Sequence, residues 1–262
     1  MDSFREGIFQ IPALLIALVF FIVIFSLNYL GYSTRKRISR LYPEKELELG
    51  TGEGALLGLM ALLLAFSFGM AATKYESRRQ KIIDEVNLLN SAILRVDLIQ
   101  DTAKQFLKKG FKNYVEYRIN YFEAGSDPEK IHASFENANN QFKQLWKHTV
   151  QLNQNQESRP GTEPLLQSLI GMKNILVDRE AGRVAAVPTL IIVVALVLVM
   201  VGSFLTGFGI KPGKRSALFS FAYALMTTTV LYLIMELSRP REGFVNLNSA
   251  ELQMKELRKM FP

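Results

Sequence analysis

Four stretches of this chain, residues 11–32, 54–72, 188–210 and 216–236, are long, apolar and nearly free of charge. A helix needs about 20 apolar residues to cross roughly 30 Å of hydrocarbon, and each stretch is close to that length. One such run can be a buried core helix. Four of them, in a chain of 262 residues with 49% hydrophobic content, specify a multi-pass helical membrane protein. The first stretch is read as a retained span rather than a cleaved signal. It is longer than a signal h-region, and it is followed by Arg35-Lys36-Arg37 with no small-x-small cleavage pattern.

The spans set the organisation. Spans 1 and 2 lie within residues 1–72, and residues 73–187 form a soluble segment. Spans 3 and 4 lie within 188–238, and 239–262 are a C-terminal tail, mildly amphipathic around Leu252, Met254, Leu257 and Met260. The predicted fold is all-α: four transmembrane helices with a soluble helical bundle inserted between the second and third. In the insert, Ile131, Phe135, Ala138, Phe142, Leu145, Thr149 and Leu152 repeat at alternating steps of four and three, one narrow helical seam. Asp127 before Pro128 marks its start as an N-cap followed by proline at the first helical position. Leu165, Leu169, Met172 and Leu176 form a second seam. Breaks are expected at Gly110, Gly125-Ser126 and residues 159–162.

Span 2 has no Pro, and no Gly after Gly69, before the charged run that follows it. It is therefore expected to continue as a single helix to about Ile99, a rigid rod of roughly 70 Å at 1.5 Å per residue. Gly54, Gly58, Ala61, Ala65 and Gly69 put a small-residue ridge along it, the pattern that lets helix backbones approach in lipid. Two readings stand. The ridge packs within one subunit, or the helix crowds around a symmetry axis with Leu62, Phe66 and Met70 facing a narrow apolar throat. Apolar constrictions gate ions by dewetting. In span 4, Ser220, Tyr223 and Thr227 form a hydroxyl face, which either bonds back to its own helix or lines an aqueous path.

The net charge of +7 is carried largely beside the spans, where Lys and Arg anchor a chain to anionic lipid. Nucleic acid is not an expected partner. Charge counted over the short loops and over the opposite flanks gives conflicting orientations, so the side of the soluble segment stays open. Arg78, Arg79, Asp84 and Glu85 cluster where span 2 leaves lipid, and Glu236 with Arg239 ends span 4. Each group is either a structural clasp or a ring of charge at a pore mouth. Asn174, Asp178, Arg179 and Arg183 fall at helical spacing and are placed to meet the Arg78–Glu85 cluster. Cys is absent, and the two histidines, His132 and His148, are too far apart on one helix to share a metal. No metal, cofactor or catalytic residue is expected, since no metalloprotease, P-loop, serine-hydrolase or dinucleotide signature occurs.

Several of these residues occur in a recognisable order. The small-residue span runs into Lys74-Tyr75-Glu76-Ser77-Arg78-Arg79, then Asp84-Glu85-Val86-Asn87, then Arg95. A long helical insert follows with the lone Trp146 after Leu145, and the last span closes on Glu236-Leu237-Ser238-Arg239-Pro240-Arg241-Glu242-Gly243. Over residues 50–250 this resembles the bestrophin-like bacterial membrane proteins. The resemblance implies likeness to bestrophins, homopentameric anion channels whose second span lines an apolar neck and whose helical domain is cytosolic. The chain departs from true bestrophins in lacking an acidic run like their calcium clasp and their aromatic neck pattern, and Glu236 stands where Asp is usual.

The expectation is an oligomeric membrane channel in the plasma (inner) membrane, conducting inorganic ions, an anion first. Lipid and further copies of the chain are its partners, and the pentamer comes from the resemblance alone. The alternative is a non-conducting sensor or scaffold whose bundle binds a ligand or partner.

Overall fold

The computed structural model describes residues 12–43, 50–125, 127–184, 189–213, 217–239 and 247–261. Among them every regular element is helical: α1 (Ala13–Leu41), α2 (Gly50–Val96), α3 (Asp101–Glu123), α4 (Pro128–Asn153), α5 (Arg159–Val184), α6 (Thr189–Gly209), α7 (Ala217–Ser238), α8 (Asn248–Glu256) and a closing 3-10 turn (Leu257–Met260). Four helices, α1, α2, α6 and α7, are long and apolar enough to cross a membrane. That is the expected architecture, and its cause is local. Hydrocarbon offers no partner for backbone N–H and C=O groups, so an apolar segment must satisfy them within its own helix. Helix α2 runs unbroken from Gly50 to Val96, as the lack of breakers predicts.

The chain divides into two compact units. One comprises Met1–Tyr75 and Ala186–Val245, the other Glu76–Ala185 and Asn246–Pro262. Residues 50–75 of α2 thus count with the membrane unit and 76–96 with the soluble unit.

In the membrane unit α1 packs chiefly on α6 and next on α7. The α1–α6 contact is a backbone approach. A Cβ added at Gly31 would lie 2.8 Å from the Phe208 nitrogen, and one at Gly207 would fall inside the envelope of the Asn28 carbonyl. Asn28, fully buried, donates from Nδ2 to Thr206 Oγ1 (3.2 Å) and to the Ser203 carbonyl (3.4 Å). Arg35 donates from Nη1 to the last α6 carbonyls, Phe208 (2.9 Å) and Gly209 (3.2 Å), and lies over the Phe208 ring. It thereby caps carbonyls that a helix end leaves open. Arg35, Lys36, Arg37 and Arg40 lie beyond the first apolar stretch, whose bounds were 11–32. They sit on the last turns of α1, which stays helical to Leu41 because no Gly or Pro follows Gly31 before Pro43.

Helix α2 joins this core through Met60, Leu64, Ser67 and Ala71, a stripe at steps of four, three and four. The small-residue ridge does not provide the packing within the chain that was one of its two readings. An added Cβ at Gly54, Gly58 or Gly69 meets nothing within 4 Å, and Ala61 and Ala65 are exposed.

In the soluble unit α3, α4, α5 and the end of α2 share one core. Of the first predicted seam Ala138, Phe142, Leu145 and Thr149 on α4 are buried and Ile131, Phe135 and Leu152 partly so, and the second, Leu165, Leu169, Met172 and Leu176 on α5, is buried throughout. Asp127 caps α4, its Oδ1 accepting from the Glu129 and Lys130 amides (3.1 and 3.2 Å). Gly125, at φ +56°, makes the turn before it. The break expected at Gly110 does not occur, and α3 continues through it. The glycine is there for space, since a Cβ would come 2.7 Å from Leu145 Cδ2 on α4. The tail returns to α3, burying Ala250, Met254, Leu257 and Phe261. Arg258 pairs bidentately with Glu116 (2.8 and 2.7 Å).

Gly207→Ala should destabilise the detergent-solubilised protein by on the order of 1–3 kcal/mol, as an overpacked contact does, and so lower its apparent Tm. Gly58→Ala should leave the Tm of the monomeric chain unchanged. Thermal melts followed by helical circular dichroism test both.

Candidate functional site

The uncovered face of α2 is the most distinctive surface of the membrane unit. With about 100° per residue, Gly58, Leu62, Ala65, Phe66, Gly69 and Thr73 lie on the side of the helix opposite the buried Met60, Leu64, Ser67 and Ala71 stripe. Leu62 and Phe66 are 51% and 61% exposed. Gly58, Ala65 and Gly69 of the ridge thus lie beside the throat candidates Leu62 and Phe66, while Ala61 and Met70 fall on opposite flanks of this side. A shallow groove on it is lined by Ala65, Phe66, Gly69, Met70, Thr73 and Lys74. Met70 sits at its edge and also touches the unit's own core.

The hydroxyl face of α7 is placed differently from a pore lining. Ser220 is fully buried, Thr227 is 7% exposed, and Tyr223 packs against Met60 Sδ (3.9 Å) and beside Gly202. These residues point into the chain's own core, where small hydroxyl side chains let helices approach closely. The outward side of α7 carries Leu218, Phe219, Phe221, Leu225 and Met226, all exposed and apolar. Glu236 and Arg239, proposed by sequence as pore-mouth charge, are likewise buried, at 1% and 6%. Tyr232 hydrogen-bonds the Glu236 carboxylate. Neither side chain is exposed, as a ring of charge at a pore mouth would require.

In the soluble unit the charged cluster splits in two. Arg79 Nη1 pairs with Glu76 Oε1 on the helix surface (2.8 Å), and Gln80 Nε2 donates to Asp84 Oδ1 (2.9 Å). Arg78 is half-buried. Glu85, by contrast, is 1% exposed and held between two guanidinium groups. Arg118 donates to it from Nε (2.5 Å) and Nη2 (3.0 Å), and Arg179 from Nη1. The Arg179 meeting was anticipated from spacing. Glu85 is not surface charge at a mouth, because α3 and α5 close over it.

Arg118 is the residue sequence reading missed. Its signal was its place between Tyr114 and Tyr121 at steps of four and three, an arginine on an apolar helix face. Its guanidinium lies 4.7 Å from the Tyr121 ring centroid and 5.7 Å from that of Phe122. Burial alone would lower the pKa of Arg118, but the charge of Glu85 and its hydrogen bonds hold it above the ordinary arginine range. Burial prevails at Arg179, whose pKa is lowered despite the same carboxylate. Burial pushes the Tyr114 phenol well up, with Glu85 adding to the effect, so it stays protonated. Below the triad, Arg95 donates to the Pro164 carbonyl (2.7 Å) and to Ser168 Oγ. It fastens α2 to a helix start that Pro164 weakens by lacking an N–H.

Among the described residues no cluster of His, Asp or Glu is arranged to hold a metal ion. His132 is exposed, and His148 lies beside the Phe106 ring (4.3 Å between centroids). The notable groups are thus an uncovered small-and-apolar helix face in one unit and a buried ion cluster in the other.

Glu85→Gln removes the carboxylate that Arg118 and Arg179 share. It should cost about 3–5 kcal/mol, whereas Asp84→Asn should stay within about 0.5 kcal/mol as a surface change. Denaturant melts of the two variants give the comparison.

Comparison with known proteins agrees with this architecture. No family model matches the chain. No curated protein matches it. Solved structures do. A crystal structure of a single-site mutant of a bacterial bestrophin homologue from Klebsiella pneumoniae superposes with TM-score 0.72 at 12% identity, covering 93% of this chain and 98% of that one. A second mutant of the homologue gives 0.71 at 15% identity over 92% and 98%. A structure of the homologue phased on zinc gives 0.66 at 14% over 94% and 99%. The chain has the fold of a bacterial bestrophin homologue.

Proposed function

We propose that this protein is a bestrophin-like oligomeric channel of the inner membrane, conducting inorganic ions and anions first, with α2 of each copy lining a narrow apolar pore. One observation carries the reading: the α2 face bearing Gly58, Leu62, Ala65, Phe66 and Gly69 is not covered by its own chain. Small residues on a lipid-exposed face gain nothing from lipid tails, which are as apolar as Leu. They gain van der Waals contact when another helix approaches. Around an axis the ridge lets neighbouring α2 helices come close, and Leu62 and Phe66 on the same face narrow the space between them. An apolar ring of this kind passes ions only when wetted.

The likeness of fold supports the reading, and the pentamer comes with it, since bestrophins are homopentameric anion channels. Copies that repeat around an axis form a closed ring through one interface used head to tail. The buried hydroxyls of α7 have no part in the path, nor do Glu236 and Arg239. At the end of the α2 face, Thr73 and Lys74 supply the polar rim of the groove, and a lysine at that point favours anions over cations near the opening. The proposed function is transport rather than catalysis.

Chloride and potassium efflux from liposomes holding the purified protein tests this. Phe66→Ala should raise anion flux severalfold by widening the apolar ring, and Met226→Ala, on the outer side of α7, should not. Protein that is folded, inserted and silent to both ions would refute the proposal.

A further inference from the structure

The last turns of α1 carry a groove lined by Tyr29, Tyr32, Ser33, Lys36, Arg37 and Arg40, with Leu41 at its end. All six fall on one face of the helix, at steps of three and four. The same face continues down the span through Leu15, Leu18, Val19 and Ile22, each more than half exposed. Arg35 lies off this face and is committed to the α6 carbonyls. Tyr32 is held by the α6–α7 connection, its hydroxyl accepting from the Gly213 amide (3.3 Å). Among the described residues no carboxylate lines the groove.

We infer that this groove binds the phosphate head of an anionic phospholipid whose acyl chains lie along the apolar stripe beneath it. The argument is one of matched sequence along a face. A phospholipid presents tails, then a glycerol and phosphate, in the order in which α1 presents exposed aliphatic side chains, then aromatic rings, then hydroxyl and three cations. Tyrosine favours the headgroup level. The three cations give the site its preference for anionic over zwitterionic heads, and each is worth about fivefold near such a surface. A free phosphate ion has no use for the stripe, and a second protein copy would have no use for three cations facing its lipid-exposed spans.

The test is carried out on the full chain in proteoliposomes. Tyr29→Trp with Trp146→Phe leaves one tryptophan, placed in the groove, because Trp146 is the only native one. Its quenching by brominated phosphatidylglycerol and by brominated phosphatidylcholine is titrated, and helical melts confirm folding of every variant. The expected result is half-quenching at a mole fraction at least fivefold lower for phosphatidylglycerol than for phosphatidylcholine. Lys36→Gln, Arg37→Gln and Arg40→Gln together should bring the ratio to one. Lys211→Gln, a basic residue outside the groove, should leave the ratio in place, and inorganic phosphate should not reverse the quenching. Equal half-points for the two lipids, no quenching by either, equal loss with Lys211→Gln, or reversal by inorganic phosphate would each overturn the assignment.

Discussion

The membrane unit depends on the approach of two backbones, α1 at Gly31 and α6 at Gly207. With no hydrophobic drive between helices in lipid, association rests on close packing and on polar groups shared between helices. Both occur at this contact. The two glycines remove the side chains that would hold the helices apart, and Asn28 and Arg35 then reach groups on α6. Because α1 closes on α6 and α7 in this way, α2 has only one narrow stripe to contribute to the core, through Met60, Leu64, Ser67 and Ala71. Its other side is left bare, and that bare side is where the proposed function lies.

In the soluble unit the corresponding constraint is the carboxylate of Glu85. An ionised group so deeply enclosed is tolerable only with partners at hydrogen-bond distance, and α3 and α5 each supply a guanidinium. The rings of Tyr121 and Phe122 complete the enclosure. The cluster ties α2, α3 and α5 together at one point. Arg95 repeats the tie near the far end of α2, with Pro164 and Ser168 of α5.

What could be read from the sequence was what each segment decides alone. The four spans, the α4 cap at Asp127 and the two leucine-rich seams follow from residues a few positions apart. Gly110 was misread as a break because a glycine at a helix crossing has the same local signature as one at a helix end, and only Leu145 distinguishes them. The ridge on α2 was visible as a pattern, yet the glycines of the membrane unit that make close contacts are Gly31 on α1 and Gly202, Gly207 and Gly209 on α6, outside that ridge. Ser220, Thr227, Glu236 and Arg239 looked like lining or rim because their own spacing does not show which side of α7 the rest of the chain covers. Arg118 escaped notice for the same reason, since its role is set by Glu85 on another helix.

The central claim is that the bare face of α2 meets water along an axis rather than lipid. The chain has no native cysteine, so single thiols can be introduced at Phe66 and, on the exposed side of α7, at Met226. The most direct measurement is their rate of reaction with a charged, membrane-impermeant thiol reagent in reconstituted protein. The account predicts that Phe66→Cys reacts and Met226→Cys does not. Protection of both sites from the charged reagent, together with labelling of both by an apolar maleimide dissolved in the bilayer, would place α2 against lipid and contradict it.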